Sequence, residues 1–271
     1  MATTAALQPA LPADIRLMNA TAAALAGLGA VALLALGVLW FVRQPMFALH
    51  SVRVEGDLTH NSALTIRANA APRLAGNFFT MDLGATRRAF ESVPWVRQAL
   101  VRRVWPDRLV VRLEEHRPAA LWSGTGPNDS TDRLVNTYGE VFEANLGDVE
   151  DESLPTLRGP DGASAHMLAL WAKLNAALAG LGADARIDTL ELSGRGSWRA
   201  ELDSGAEIEF GRGSDDELIE RVQRFVGTVP QVTGPYQRPL EYADLRHHDG
   251  YAVRLKGVST EAGTGAKPAG R

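Results

Sequence analysis

The chain has no cysteine among its 271 residues. That absence excludes disulfide staples, cysteine-held zinc and a cysteine nucleophile, and leaves reducing and oxidising compartments both open. The six histidines are His50, His60, His116, His166, His247 and His248, and none stands in HExxH or another metal-ligand spacing. Only His247 and His248 adjoin, and neighbours on a strand point to opposite faces, which makes a poor chelate. No metal or cofactor is therefore expected. The sequence also lacks a GxSxG elbow, and Gly211-Arg212-Gly213 lacks the Lys-Ser/Thr of a phosphate loop. Carboxylate pairs do occur, at Glu114-Glu115 and Asp215-Asp216. They fall at a strand end and in a helix first turn, where solvation and the helix dipole account for them. No catalytic residue is assigned, and the chain is expected not to be an enzyme. Strong charge of one sign is missing as well: the net charge is −4 with 22% charged residues, so no polyelectrolyte partner such as nucleic acid is implied.

One absence is informative by its length. Residues 20–42 contain no charged side chain, in a run between Arg16 and Arg43. About 23 helical residues span roughly 34 Å, enough for a hydrocarbon core of about 30 Å. A signal-peptide core is shorter, about 7–15 residues, and ends at small residues. This run ends Leu39-Trp40-Phe41-Val42, bulky groups that suit the headgroup belt. It reads as an uncleaved anchor. No GxxxG occurs in it, so little points to dimerisation through the anchor. Charge bias gives almost nothing for orientation. A large polar body behind one N-terminal anchor predicts the head inside and the body exported.

The polar remainder is long enough for two domains. Its first part opens with alternation, Val52 and Val54 on one side and Ser51, Arg53 and Glu55 on the other. Leu64, Ala68, Ala71 and Leu74 then share a helical face, after the candidate caps Asn61 and Ser62. Asp82 is placed to cap a second helix bearing Leu83, Arg87 and Phe90, which stops before Pro94. Two strands are expected at about 96–104 and 108–115, joined by Trp105-Pro106-Asp107, with Leu109, Val111 and Leu113 facing the core. Eight arginines fall within residues 87–117. They read either as solvated faces or as a docking surface for acidic segments or anionic headgroups.

After Arg117-Pro118 the composition changes. Residues 124–132 read as a loop, and LVNTYGEVFEA as two short strands around Tyr138-Gly139. LPTLRGPDG reads as irregular. A helix follows with Met167, Leu170, Trp171, Leu174, Leu178 and Leu181 on one face. Short alternating strands carry Trp198, Ala200, Leu202, Ile208 and Phe210, and Ser214 to Glu217 is a capping box for a helix with Leu218, Val222 and Phe225. EYADLR and YAVRLK pair across an Asp249-Gly250 hairpin signal. In that last strand Tyr251, Val253 and Leu255 share an apolar face. A terminal strand at a sheet edge offers unpaired N–H and C=O groups to another chain.

The β-α-α-β-β order, with FALHSVRVEGD, NFFTMDL and above all WVRQALVRRVWPDRLVVRLEEHRPAA, resembles a POTRA domain. POTRA directly after a single anchor, followed by the Trp198, Leu202, Gly205 beat, FGRG and YADLRHHDGYAVR, is similar to the FtsQ/DivIB family of bacterial cell division proteins. The resemblance implies an α+β protein: a head (1–19), a transmembrane helix (20–42), a POTRA domain (47–117), a mixed α/β domain with an antiparallel-rich sheet (118–257), and a disordered tail (258–271). It implies a non-catalytic scaffold of the inner membrane, enriched at the septum, with FtsB and FtsL on the second domain and FtsK and FtsW contacts near POTRA and anchor. Arg246 matches the family arginine of the Asp-Leu-Arg stretch and would anchor a partner carboxylate. His247 stands where the family often has tyrosine, and Tyr251 is a substitute for it. With His248, Val253 and Arg195 they make the candidate partner-binding set. Two other classes remain open from the residues: a POTRA-bearing secretion or outer-membrane assembly scaffold, and an anchored periplasmic hydrolase.

Overall fold

The charge-free run forms one helix in a computed structural model of the chain, α1 (Ala13–Val42), which starts earlier than residue 20. The structure describes residues 13–56, 58–70, 72, 76–124, 133–150, 152–247 and 249–258. Residues 1–12 of the expected head, most of the expected loop at 124–132 and nearly all of the expected tail lie outside them. The most apolar 18-residue stretch of Asp14–Val42 has a mean hydropathy of 2.4, and none of it is buried in the protein. A helix with so long an apolar stretch, uncovered by protein, is long and apolar enough to cross a membrane. Contacts divide the chain into two units, Met1–Glu114 and Glu115–Arg271.

In the first unit β1 (Ser51–Glu55), α2 (Ala63–Ala70), α3 (Leu83–Glu91), β2 (Val96–Val104) and β3 (Arg108–Glu115) follow in order. The sheet runs β1-β3-β2, with β1 parallel to β3. Asp82 caps α3, its Oδ1 accepting from the N–H groups of Gly84 and Ala85 at 2.8 and 3.1 Å. Those bonds hold its carboxyl below the usual carboxylate range. Leu109, Val111, Leu113 and Phe90 fill the core. The face of α2 is a correction. Leu64 and Ala68 are exposed, and Ile66 and Ala70 are the buried pair. Both pairs have i,i+4 spacing, about 200° apart around the helix, so periodicity alone cannot choose between them. The expected Ala71 and Leu74 lie outside the described residues. Val52 stays exposed because β1 is an edge strand.

Among the described residues the second unit is a nine-stranded mixed sheet with two α-helices on one face. Its strands are β4 (Pro118–Gly124), β5 (Arg133–Asn136), β6 (Val141–Glu143), β7 (Thr156–Gly159), β8 (Ile187–Leu192), β9 (Trp198–Leu202), β10 (Glu207–Gly211), β11 (Leu240–Asp244) and β12 (Ala252–Leu255). They lie in the order β12-β11-β10-β9-β8-β7-β4-β5-β6. Helices α4 (Ser164–Leu178) and α5 (Asp215–Thr233) bury Met167, Leu170, Leu174 and Leu178, and Leu218, Val222 and Phe225, against Trp198, Ala200, Ile208 and Phe210. Ser214 and Glu217 form the capping box of α5. The stretch read as irregular is instead β7, parallel to both β4 and β8. It has one large apolar residue, Leu157, and its strand state comes from its neighbours rather than from its own pattern.

Candidate protein-interaction edge

The last strand among the described residues, β12, is the outermost strand of the large sheet. β12 pairs antiparallel with β11 through Asp244 with Ala252, Ala243 with Val253 and Tyr242 with Arg254. The Leu245 N–H donates to the Glu209 carbonyl on β10 at 2.8 Å, so Ala243 and Leu245 aim their backbone groups at β10. By alternation Tyr242 and Asp244 aim theirs at β12. Ala252 and Arg254 answer them, and Lys256 N–H donates to the Pro239 carbonyl at 3.0 Å on the same side. The N–H and C=O of Val253 therefore point away from β11. Among the described residues no strand lies on that outer side. The rim is short, because the Leu255 carbonyl accepts from its own chain at Val258 (3.3 Å).

Side chains of β12 and of Tyr251 just before it support this rim from within. Tyr251 is half-buried, its ring edge-on to Phe225 with centroids 5.0 Å apart, and its hydroxyl lies 2.9 Å from Thr228 Oγ1 on α5. Val253 packs on the same core and Leu255 is buried. On the opposite, solvated face Arg254 pairs with Glu241 at 3.2 Å and lies over the Tyr242 ring.

Arg246 leaves β11 beside this edge. Its Nε and Nη2 donate to the two oxygens of Asp244 at 2.9 and 2.6 Å, and its backbone N–H bonds Asp244 Oδ1 at 3.0 Å. The guanidinium holds the Asp244 carboxyl below the usual range, and the carboxylate in turn raises Arg246. More than half of the Arg246 side chain is still exposed. Its stem lies over Gly211, where φ is +79° and a Cβ would come within 2.7 Å of Arg246 Cγ. Glycine is thus required there both for the backbone and for the seat of the arginine. Asp244 stands opposite Glu209 in the parallel pairing, and Glu209 is clamped by Arg199 at 2.6 Å. A row of paired charges, Arg199, Glu209, Asp244 and Arg246, results.

Arg195 is exposed in the turn between β8 and β9. The register sets Trp198, at the start of β9, against Gly211 at the end of β10, and Glu209 against Asp244. Arg195, Arg246 and the exposed His247 thus share one end of the sheet, and Tyr251, just before β12, and Val253 on it lie beside that end. His248 lies outside the described residues. The sequence reading missed Asp244, Gly211 and the Arg199–Glu209 pair. The Asp-x-Arg spacing carried the first signal, since residues two apart on a strand share a face.

Among the described residues no group of three or more histidines and carboxylates is placed to hold a metal ion. A cavity of about 440 Å³ beside α4 is lined by Trp171, Asn175, Ala179, Gly182, Ala183, Ala185 and Arg186, without a nucleophile or a base.

Two family models match. The FtsQ-type POTRA domain covers residues 47–116, and the C-terminal part of the cell division protein FtsQ/DivIB covers residues 120–246. The chain belongs to the FtsQ/DivIB family. The cell division protein FtsQ of Burkholderia pseudomallei is 40% identical, over 90% of this chain and 94% of that protein. FtsQ of Thiomonas arsenitoxydans is 39% identical over 92% and 90%, and FtsQ of Bordetella pertussis 36% over 94% and 96%. Family and fold agree on an α+β division protein with a POTRA domain, and together with α1 they point to a single-pass membrane protein. The second model ends at Arg246, so the exposed edge strand follows it in the chain.

Proposed function

We propose that this chain is a non-catalytic scaffold of the divisome, held in the inner membrane by α1 with its head cytoplasmic and its body periplasmic. It captures FtsB, with FtsL, by adding a strand to β12, and gathers FtsK and FtsW near its POTRA domain and anchor at the septum. The observation that carries the reading is the outward N–H and C=O of Val253 on a terminal edge strand. Main-chain bonds supply affinity in strand addition, and neighbouring side chains supply choice of partner. Arg246, already oriented by Asp244, shares its exposed guanidinium with a partner carboxylate. Arg195 and His247 flank it, with His248 next in the chain, and Tyr251 stiffens the strand from behind.

Val253→Pro tests this directly. Proline removes the outward donor without taking a bond from the β11 ladder. Losing one backbone pair weakens FtsB capture about tenfold. The expected result is weak pull-down of FtsB at a nearly unchanged melting temperature. Undiminished capture by a folded Val253→Pro protein sinks the strand-addition reading.

A further inference from the structure

The end of the first unit that receives α1 carries an aromatic and arginine surface that partner capture at β12 does not use. Phe41, in the last turn of α1, meets Phe47 edge-on at 5.3 Å; Phe47 meets Phe79 at 4.9 Å. Asn77 ties the loop that holds Phe79 to the helix. Its Oδ1 accepts from the N–H groups of Phe79 and Thr80, both at 3.0 Å. Its Nδ2 donates to the Val42 carbonyl at 2.6 Å. That carbonyl is one of the unpaired groups at a helix C-terminus, so the loop caps the anchor.

The β2–β3 turn reaches the same end. Ser51 at the start of β1 stands opposite Arg108, and His50 N–H donates to the Asp107 carbonyl at 3.1 Å. Trp105 at the tip of that turn is 73% exposed, Met46 65% and Phe79 48%. Arg43, Arg102 and Arg108 are exposed around them. Several large apolar side chains on one end of a unit, rimmed by arginines, mark an interaction site, whereas a single exposed one such as Leu64 does not.

Continuity with α1 decides the occupant. Phe79 is in one aromatic chain with Phe41, and Phe41 and Trp40 are where the apolar helix ends. Rings at that depth, rimmed by arginines, fit the headgroup layer of an anionic leaflet. The geometry points to a lipid-seating surface: Phe79, Met46 and Trp105 enter the headgroup layer of the leaflet on the body's side. The first unit then stands on the membrane at a fixed tilt instead of swinging on a free stalk.

The absence of cysteine allows single-site labelling of the full chain. Phe79→Cys, Trp105→Cys and, as a remote control, Leu64→Cys on α2 each carry a nitroxide. Each protein is placed in vesicles of phosphatidylethanolamine and phosphatidylglycerol. Collision of the label with oxygen is compared with collision with a water-soluble nickel complex. The expected oxygen-to-nickel ratio is several-fold higher at positions 79 and 105 than at 64. Water-like values at all three sites overturn the proposal, and a raised value at 79 alone overturns the two-point seat. No division partner is present in the vesicles, so the outcome is independent of the strand-addition reading.

Discussion

Asp244 and Arg246 show how much two side chains can add at a strand exit. The pair is bidentate, and the arginine is more than half exposed, so solvent screens it. A depressed carboxylate stabilises the fold in full above its ordinary value of 3.8 and loses that contribution as pH falls through its lowered one. Asp244→Asn is therefore expected to lose about 0.2–1 kcal/mol near neutral pH. Its melting temperature should also drop less than the parent's on acidification below about pH 4. Melting curves across that range decide it; parallel acid limbs would show that the pair adds nothing. The variant also frees Arg246 to swing, which weakens partner capture if a fixed guanidinium matters. At this scale the sequence was readable where a residue acts on its own neighbours. The Asp82 cap and the Ser214–Glu217 box are local devices and stand where their spacing places them. The seat of Arg246 on Gly211 was not readable, because it joins residues from different strands.

Elements are legible when one pattern admits one face. β2 and β3 stand at the bounds expected for them, and the apolar stripe of α4 is the buried one. α2 offers two equivalent stripes, and β7 offers almost none, so tertiary contacts decide both. The last hairpin lies between these cases. Its existence was legible from Asp249-Gly250, but the direction of Tyr251 depends on α5 lying beneath it. Tyr251→Phe keeps the ring against Phe225 and removes the bond to Thr228. That bond is exposed to solvent and is worth about 0.5 kcal/mol net, the low end of the usual range. A urea midpoint should register the loss while FtsB affinity stays within about twofold. A large fall in affinity at unchanged stability would instead put the hydroxyl on the partner.

At the scale of the molecule, the described residues form two buried apolar clusters. One gathers Phe90, Leu109 and Val111; the other gathers Leu170, Trp198, Ile208 and Phe225, and neither borrows a residue from the other. Class and order of elements were legible because each core leaves its own periodic signature. The strand order of the nine-stranded sheet was not, because β7 slots between β4 and β8 and β11 lies parallel to β10. Separate cores predict separate responses to damage. Phe90→Ala opens the first core and costs about 3–5 kcal/mol there. Hydrogen exchange should then lose protection at Leu109 and Val111 and keep it at Leu190 and Ala200. The edge at β12 belongs to the second unit, so FtsB capture by the solubilised full chain should persist in this variant. Loss of protection in both units together would mean that they unfold as one cooperative body, and the edge strand would then depend on the first unit's core.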